Sequence, residues 1–192
     1  MIESLIELDQ QFFLWLNGLH ADWLDPIMLA ITGRNIWIPL YAVILFLVIR
    51  KLKWQSWSMI LAFALLITLA DQAASGFFKP FFERFRPCHE PAIQDLVHLV
   101  KSSCGGQYGF ASSHASNTFA LAFFLFFIYR NVYAKWMIAW AVVVSYSRIY
   151  VGVHYPGDII MGAILGVLAA VITYQLYKRI FPNHLEKIHS TV

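Results

Sequence analysis

Five long apolar runs alternate with short polar breaks along most of the chain. Residues 36–49, 54–78, 114–129, 134–146 and 159–177 are almost free of charge. A chain segment in lipid must satisfy its backbone groups within itself, so each run is predicted to be a helix. Some runs fall short of the roughly 20 residues a full crossing needs, and these helices must extend into their polar flanks. The first stops at Arg50, Lys51 and Lys53, the third meets Arg130, and the fifth ends at Lys178 and Arg179. Trp54, Trp57, Tyr129, Tyr133, Trp136 and Tyr177 gather at these basic ends, as interfacial aromatic anchors do.

The stretch before these runs has a different pattern. Leu5, Leu8, Phe12, Trp15, Leu16 and Leu19 recur at helical spacing, while Glu7, Asp9, Gln10 and Gln11 interrupt any continuous span. That pattern predicts an amphipathic helix lying in the membrane interface. Gly18 and residues 22–26 turn the chain, and a short apolar piece ends at Thr32 to Asn35, so residues 1–33 read as an interfacial segment. Glu3, Glu7 and Asp9 are unlike the basic leader of a cleavable signal. Residues 79–113 form the longest non-apolar stretch and are predicted to be a loop outside the bilayer. The expected architecture is all-α: a polytopic membrane helical bundle of five to six transmembrane helices, with residues 1–192 in one domain.

Composition agrees with this reading. Hydrophobic residues make up 59% of the chain and charged residues 13%, against about 25% charged in a soluble domain, and mean hydropathy is +0.61. The net charge of +3 matters less than where the charges fall. With five crossings, Arg50, Lys51, Lys53, Arg130, Lys135, Lys178, Arg179 and Lys187 share one side. The acidic N-terminal segment, the 79–113 loop and residues 147–158 share the other. The positive-inside rule then puts the C-terminus in the cytoplasm and the polar clusters outside. Lys79, Arg84, Arg86 and Lys101 run against that asymmetry and are read as site residues.

Polar groups between apolar runs are costly and mark functional sites. Residues 147–158 read Ser-Arg-Ile-Tyr-Val-Gly-Val-His-Tyr-Pro-Gly-Asp. Arg148 offers a planar fork of donors suited to phosphate oxygens. His154 is a nucleophile or proton carrier near neutral pH, and Asp158 is placed to fix its tautomer. Lys79 and Arg86 stand seven residues apart, which on a helix stopped by Pro87 puts both cations on one face. They are an anion site or, alternatively, snorkelling residues at the membrane boundary. Ser112 is a candidate N-cap, presenting the amides of Ser113 and His114 at a helix start that suits an anion. The alternative there is simple capping. Three such clusters on one membrane side, with their cations repelling any metal, point to a phosphate site.

The pattern of Lys79, Arg86 and Pro87, then Ala111-Ser112-Ser113-His114, then Ser147, Arg148, His154 and Asp158 resembles the type 2 phosphatidic acid phosphatase family. The first and third motifs match. In the second, Ala111 stands for a proline and Ser113 for a glycine, and the Ser113 side chain is expected to narrow the pocket. The resemblance implies a bacterial membrane lipid phosphatase in which His154 forms a phosphohistidine, Asp158 orients it, and His114 protonates the leaving oxygen and then activates water. Lys79, Arg86, Ser112, Ser113 and Arg148 would hold the phosphate, with no metal and no cofactor. It implies a lipid phosphate substrate: undecaprenyl pyrophosphate, phosphatidylglycerol phosphate, phosphatidic acid or phosphorylated lipid A. The site would face the periplasm or cell exterior from the bacterial cytoplasmic (inner) membrane. No nucleic acid or obligate protein partner is expected. Transfer of phosphate between lipids, or lipid carriage without cleavage, are the alternative functions; binding alone needs neither histidine.

Cys88 and Cys104 both fall in the outer loop, where an oxidising compartment favours a disulfide. Asp71 is expected to make a polar contact between helices. Gly162 and Gly166 are expected to bring two helices close within the monomer. His89, His98, His184 and His189 are expected to be solvated.

Overall fold

The computed structural model describes residues 2–101 and 103–189. Among them every regular element is helical: α1 (Ile2–Asn17), α2 (Asp25–Thr32), α3 (Ile38–Leu52), α4 (Ser56–Asp71), α5 (Lys79–Phe82), α6 (Ser113–Tyr129), α7 (Val132–Tyr150), α8 (Pro156–Ile180) and α9 (Pro182–His189). A π-helical stretch, Gln72–Phe78, carries α4 into α5. Asn35–Phe82 and Pro156–Ile180 are long and apolar enough to cross a bilayer, and Ser113–Tyr129 is apolar but shorter. The first of these stretches folds back on itself, because Lys53 takes a positive φ of 53° and α3 packs against α4.

The centre of the bundle is α6, which packs on α8, α7 and α4. Two glycines set the α6–α8 distance. A Cβ on Gly162 would sit 2.5 Å from the Ser112 carbonyl oxygen, and one on Gly166 would run into the Ser116 carbonyl. Asn117 on α6 donates to Asp71 on α4 at 3.2 Å, and the Ser116 hydroxyl donates to the Ala70 carbonyl at 2.9 Å. Asp71 therefore makes the expected polar contact between helices. Below this level Val48, Leu52, Met59, Leu66, Phe124, Ile128 and Tyr174 form the main buried core. The outward faces of α3, α4 and α8 remain apolar, with Phe46, Leu47, Leu61, Ile164, Leu168 and Ile172 exposed. Apolar surface on that scale is what a lipid environment, not water, accommodates.

The structure adds one point and changes two expectations. First, the stripe of Leu5, Leu8, Phe12 and Trp15 on α1, with Leu19 just beyond it, faces outward, while Asp9, Phe13 and Asn17 face the protein. The i, i+4, i+8 spacing of those three makes them one face, and each finds a partner that the periodicity of apolar residues alone could not reveal. Second, Lys79 and Arg86 do not share a helix. Glu83 adopts a left-handed φ of 47°, α5 ends at Phe82, and Phe85 pairs with Tyr108 in an isolated antiparallel bridge. Third, two of the histidines are structural. His98 stacks on His20 with ring centroids 3.6 Å apart and bonds Asp25 at 3.0 Å; His184 bonds the Ser58 hydroxyl at 2.9 Å. His89 lies at the surface near the Gly105 carbonyl, and the His189 side chain lies outside those described.

Candidate active site

Residues 151–155 connect α7 to α8 and carry His154, which is buried to 1% exposure. Asp158, in the first turn of α8 and fully buried, accepts from the Tyr155 amide at 3.0 Å and pairs with His154 Nδ1 at 3.1 Å, both through Oδ2. One carboxylate oxygen thus caps the helix start and fixes the imidazole. Nδ1 is committed to Asp158, so Nε2 is the ring nitrogen available for chemistry. Burial first, and then the cations Arg148, Arg86 and Lys79, hold the His154 imidazole well below its usual value. It is neutral at neutral pH, with a lone pair on Nε2, which is the form a nucleophile needs.

The cations arrive from three elements. Lys79 opens α5, and its ammonium donates to the Ser113 hydroxyl at 2.9 Å. The serine in the family's glycine position lines the cavity and also orients a cation. Arg86 lies in the loop, where Nε donates to the Tyr108 carbonyl at 3.2 Å and Nη1 to the Cys104 carbonyl at 3.1 Å. Cys104 is joined to Cys88 in a disulfide, so the same loop that carries Arg86 is closed on itself. Arg148, near the end of α7, donates through Nη1 to the buried Thr32 hydroxyl at 2.7 Å, and its buried Nε has no hydrogen-bond partner among the described residues.

At the start of α6 the Ser112 hydroxyl accepts from the Ala115 amide, and the Ser112 amide donates to the Asp158 carbonyl at 3.0 Å. The first amides of α6, those of Ser113 and His114, lie at the positive end of the helix and have no intrahelical acceptor. Lys79, Arg86, Ser113, His114, Arg148 and His154 line one cavity of about 1180 Å³. Ser112 and Asp158 are fully buried and do not line it; Ser112 serves the helix start and Asp158 the histidine. The cavity continues from these polar groups along Tyr41, Ile44, Leu45, Phe63, Ile67 and Trp140. A cationic end joined to an apolar trough suits an amphiphile with an anionic head.

Several partners were not legible in the sequence. Thr32, at the end of α2, holds Arg148 across 116 positions of chain. Arg84, read as a site residue from its charge alone, reaches both Asp9 and Asp158, neither of which its loop sequence points to. Asp9 had a sequence signal, as a carboxylate inside an amphipathic helix, yet its partner lies 148 positions away at the Gly157 amide.

The PAP2 superfamily model matches residues 56–182. The chain is 41% identical to a lipid A 4'-phosphatase of Bacteroides thetaiotaomicron, over 91% of this chain and 79% of that protein. It is 39% identical to a lipid A 4'-phosphatase of Porphyromonas gingivalis, over 92% of this chain and 75% of that protein. Among solved structures it is similar to the crystal structure of Aquifex aeolicus LpxE, with a TM-score of 0.69 and 23% identity, covering 86% of this chain and 93% of that one.

Proposed function

This chain belongs to the PAP2 superfamily and is a phosphoric ester hydrolase, and from that premise we propose that it removes the phosphate of a membrane lipid through a phosphohistidine. The observation that carries the reading is the buried His154–Asp158 pair at the edge of a cavity lined by Lys79, Arg86 and Arg148 and continued by an apolar trough. His154 Nε2 attacks phosphorus in line as the bond to the lipid oxygen breaks. His114 gives its proton to that oxygen. It then takes a proton from the water that splits the phosphorus–nitrogen bond, releasing inorganic phosphate. Asp158 stabilises the imidazolium formed on attack. The three cations and the amides of Ser113 and His114 hold the equatorial oxygens through the transition state. Fixed cations occupy the role a metal plays in other phosphatases, so turnover persists in EDTA.

Two relatives that match about nine-tenths of this chain are lipid A 4'-phosphatases, which makes the 4'-phosphate of lipid A the proposed substrate. The proposed topology has five to six crossings in a bacterial inner membrane. The 79–113 loop and the site face the exterior, and α1 lies in the outer interface. Purified protein in detergent, given bisphosphorylated lipid A, should release one phosphate per molecule. His154→Ala should elute normally and release none. Equal turnover by His154→Ala would overturn the assignment of the nucleophile, and release from phosphatidic acid but not from lipid A would overturn the substrate.

A further inference from the structure

Asp158 has two carboxylate oxygens, and only Oδ2 is taken up by His154 and the Tyr155 amide. Oδ1 meets Arg84 Nη1 at 3.3 Å, and the same nitrogen donates to Asp9 Oδ2 at 2.8 Å. The Arg84 guanidinium lies over the Tyr155 ring, 4.0 Å from its centroid. Asp9 in turn uses Oδ1 to accept from the Gly157 amide at 2.8 Å, one residue before Asp158. The approach is close enough that a Cβ on Gly157 would lie 2.6 Å from Asp9 Oδ2. Phe13, one turn further along α1, packs edge-on against Tyr155 with centroids 5.3 Å apart. Asn17, a turn beyond that, donates to the Tyr150 carbonyl at 2.8 Å. One face of α1 therefore grips the α7–α8 connection on both sides of His154.

We infer that Asp9 and Arg84 are positioning residues for the reaction: α1 supplies a carboxylate that anchors Arg84, and Arg84 holds the outer oxygen of Asp158 so that its inner oxygen stays on His154. The inference rests on the reading of His154 and Asp158 as the reacting pair. Neither residue lines the cavity, so neither touches the phosphate. Asp9 also lies outside the matched residues 56–182, and Arg84 falls between Lys79 and Arg86 at a position the motif leaves open. A fully buried carboxylate with one oxygen unpaired would carry a large desolvation cost and would turn to satisfy it. Arg84 removes that tendency. Asp9 keeps Arg84 from swinging outward, since both side chains are partly exposed, at 17% and 21%.

The experiment measures inorganic phosphate released from bisphosphorylated lipid A in detergent micelles by the full chain. Compared are wild type, Asp9→Asn, Arg84→Ala, Arg84→Lys, the Asp9→Asn/Arg84→Ala double variant and His154→Ala. Asp9→Asn keeps an acceptor for the Gly157 amide and removes only the charge that anchors Arg84. Asp9→Asn and Arg84→Ala should each lower kcat roughly 10²-fold, the cost of about 1 Å of misplacement at a reacting group. KM, and inhibition by inorganic phosphate, should stay at wild-type values. Arg84→Lys should recover much of the loss, and the double variant should be no worse than Arg84→Ala alone, because Asp9 acts through Arg84. Unchanged kcat in Asp9→Asn overturns the inference, and so does a rise in KM with kcat kept, or additive losses in the double variant. If Arg84→Ala elutes as aggregate, Arg84→Lys and Asp9→Asn decide the matter by the same criteria. A wild-type chain that releases no phosphate, or a His154→Ala variant that equals it, overturns the catalytic reading and this inference with it. Active wild type with an unaffected Asp9→Asn overturns the inference alone.

Discussion

Ser113 shows how one side chain can change a motif without breaking it. A glycine there would offer only its amide, whereas the serine also accepts from Lys79 at 2.9 Å. Ser113→Gly removes one hydrogen bond to a charged donor, a loss of about 1.5 kcal/mol, which corresponds to roughly tenfold in an equilibrium constant. The expected outcome is a KM raised by about that factor with kcat held, measured on a micellar lipid phosphate. His154 carries a second prediction. Its burial and the three nearby cations depress its protonation in the folded chain, while the unfolded chain returns it to about 6.5. The unfolded state then binds more protons below that pH, so this contribution to stability is full above about 6.5 and shrinks as pH falls. Nitrogen NMR of histidine-labelled protein should show His154 neutral at pH 6, with the proton on Nδ1. An imidazolium signal there would contradict the depressed value.

At the level of elements, the α6–α8 contact sets the site's geometry, because α6 starts at Ser113 and α8 starts at Pro156. The two helix starts are tied by the Ser112 amide on the Asp158 carbonyl, and Gly162 and Gly166 allow the approach. Gly166→Leu places a side chain against the Ser116 carbonyl and must push the helices apart. Overpacking of this kind costs about 1–3 kcal/mol, to be read as a lowered melting temperature in detergent. Activity should fall further than the stability loss alone explains, since His114 and His154 separate with the helices. The 79–113 loop shows a different logic. Its disulfide and its carbonyls at 104 and 108 hold Arg86, so a segment with little helix of its own still presents a cation in a fixed place.

For the whole molecule, the two ends of the bundle differ in chemistry. One end gathers the cation-lined cavity. The other joins α4, α8 and α9 through Ser58, Tyr177 and His184, with Lys178 and Arg179 in the last turn of α8. The proposed orientation puts this second end in the cytoplasm. A green fluorescent protein fused after residue 192 should therefore fluoresce, while alkaline phosphatase fused there should stay inactive. The reverse pair of results would invert the topology and place the site inside the cell.

Helical class, and the polar residues that the fold brings to one cavity (Lys79, Arg86, Ser113, His114, Arg148 and His154), were legible in the chain, because each depends on local information. A backbone in lipid has to be helical, and a charge amid apolar residues stands out wherever it falls. The family resemblance, read from three short motifs, agrees with the superfamily match over residues 56–182. What the tertiary structure decided were the pairings between distant residues: Thr32 with Arg148, Ser113 with Lys79, and Asp9 with Arg84 and Gly157. It also showed which residues of α1 meet the protein: Asp9, Phe13 and Asn17, opposite an apolar stripe that faces outward. The physical reason is the same in each case. Hydrophobic periodicity tells which face of a helix can leave water, and a helix at a membrane surface can direct that face to lipid as readily as to protein. Only the packed fold shows which of the two it meets, and therefore which polar groups remain to hold His154 and Asp158 in place.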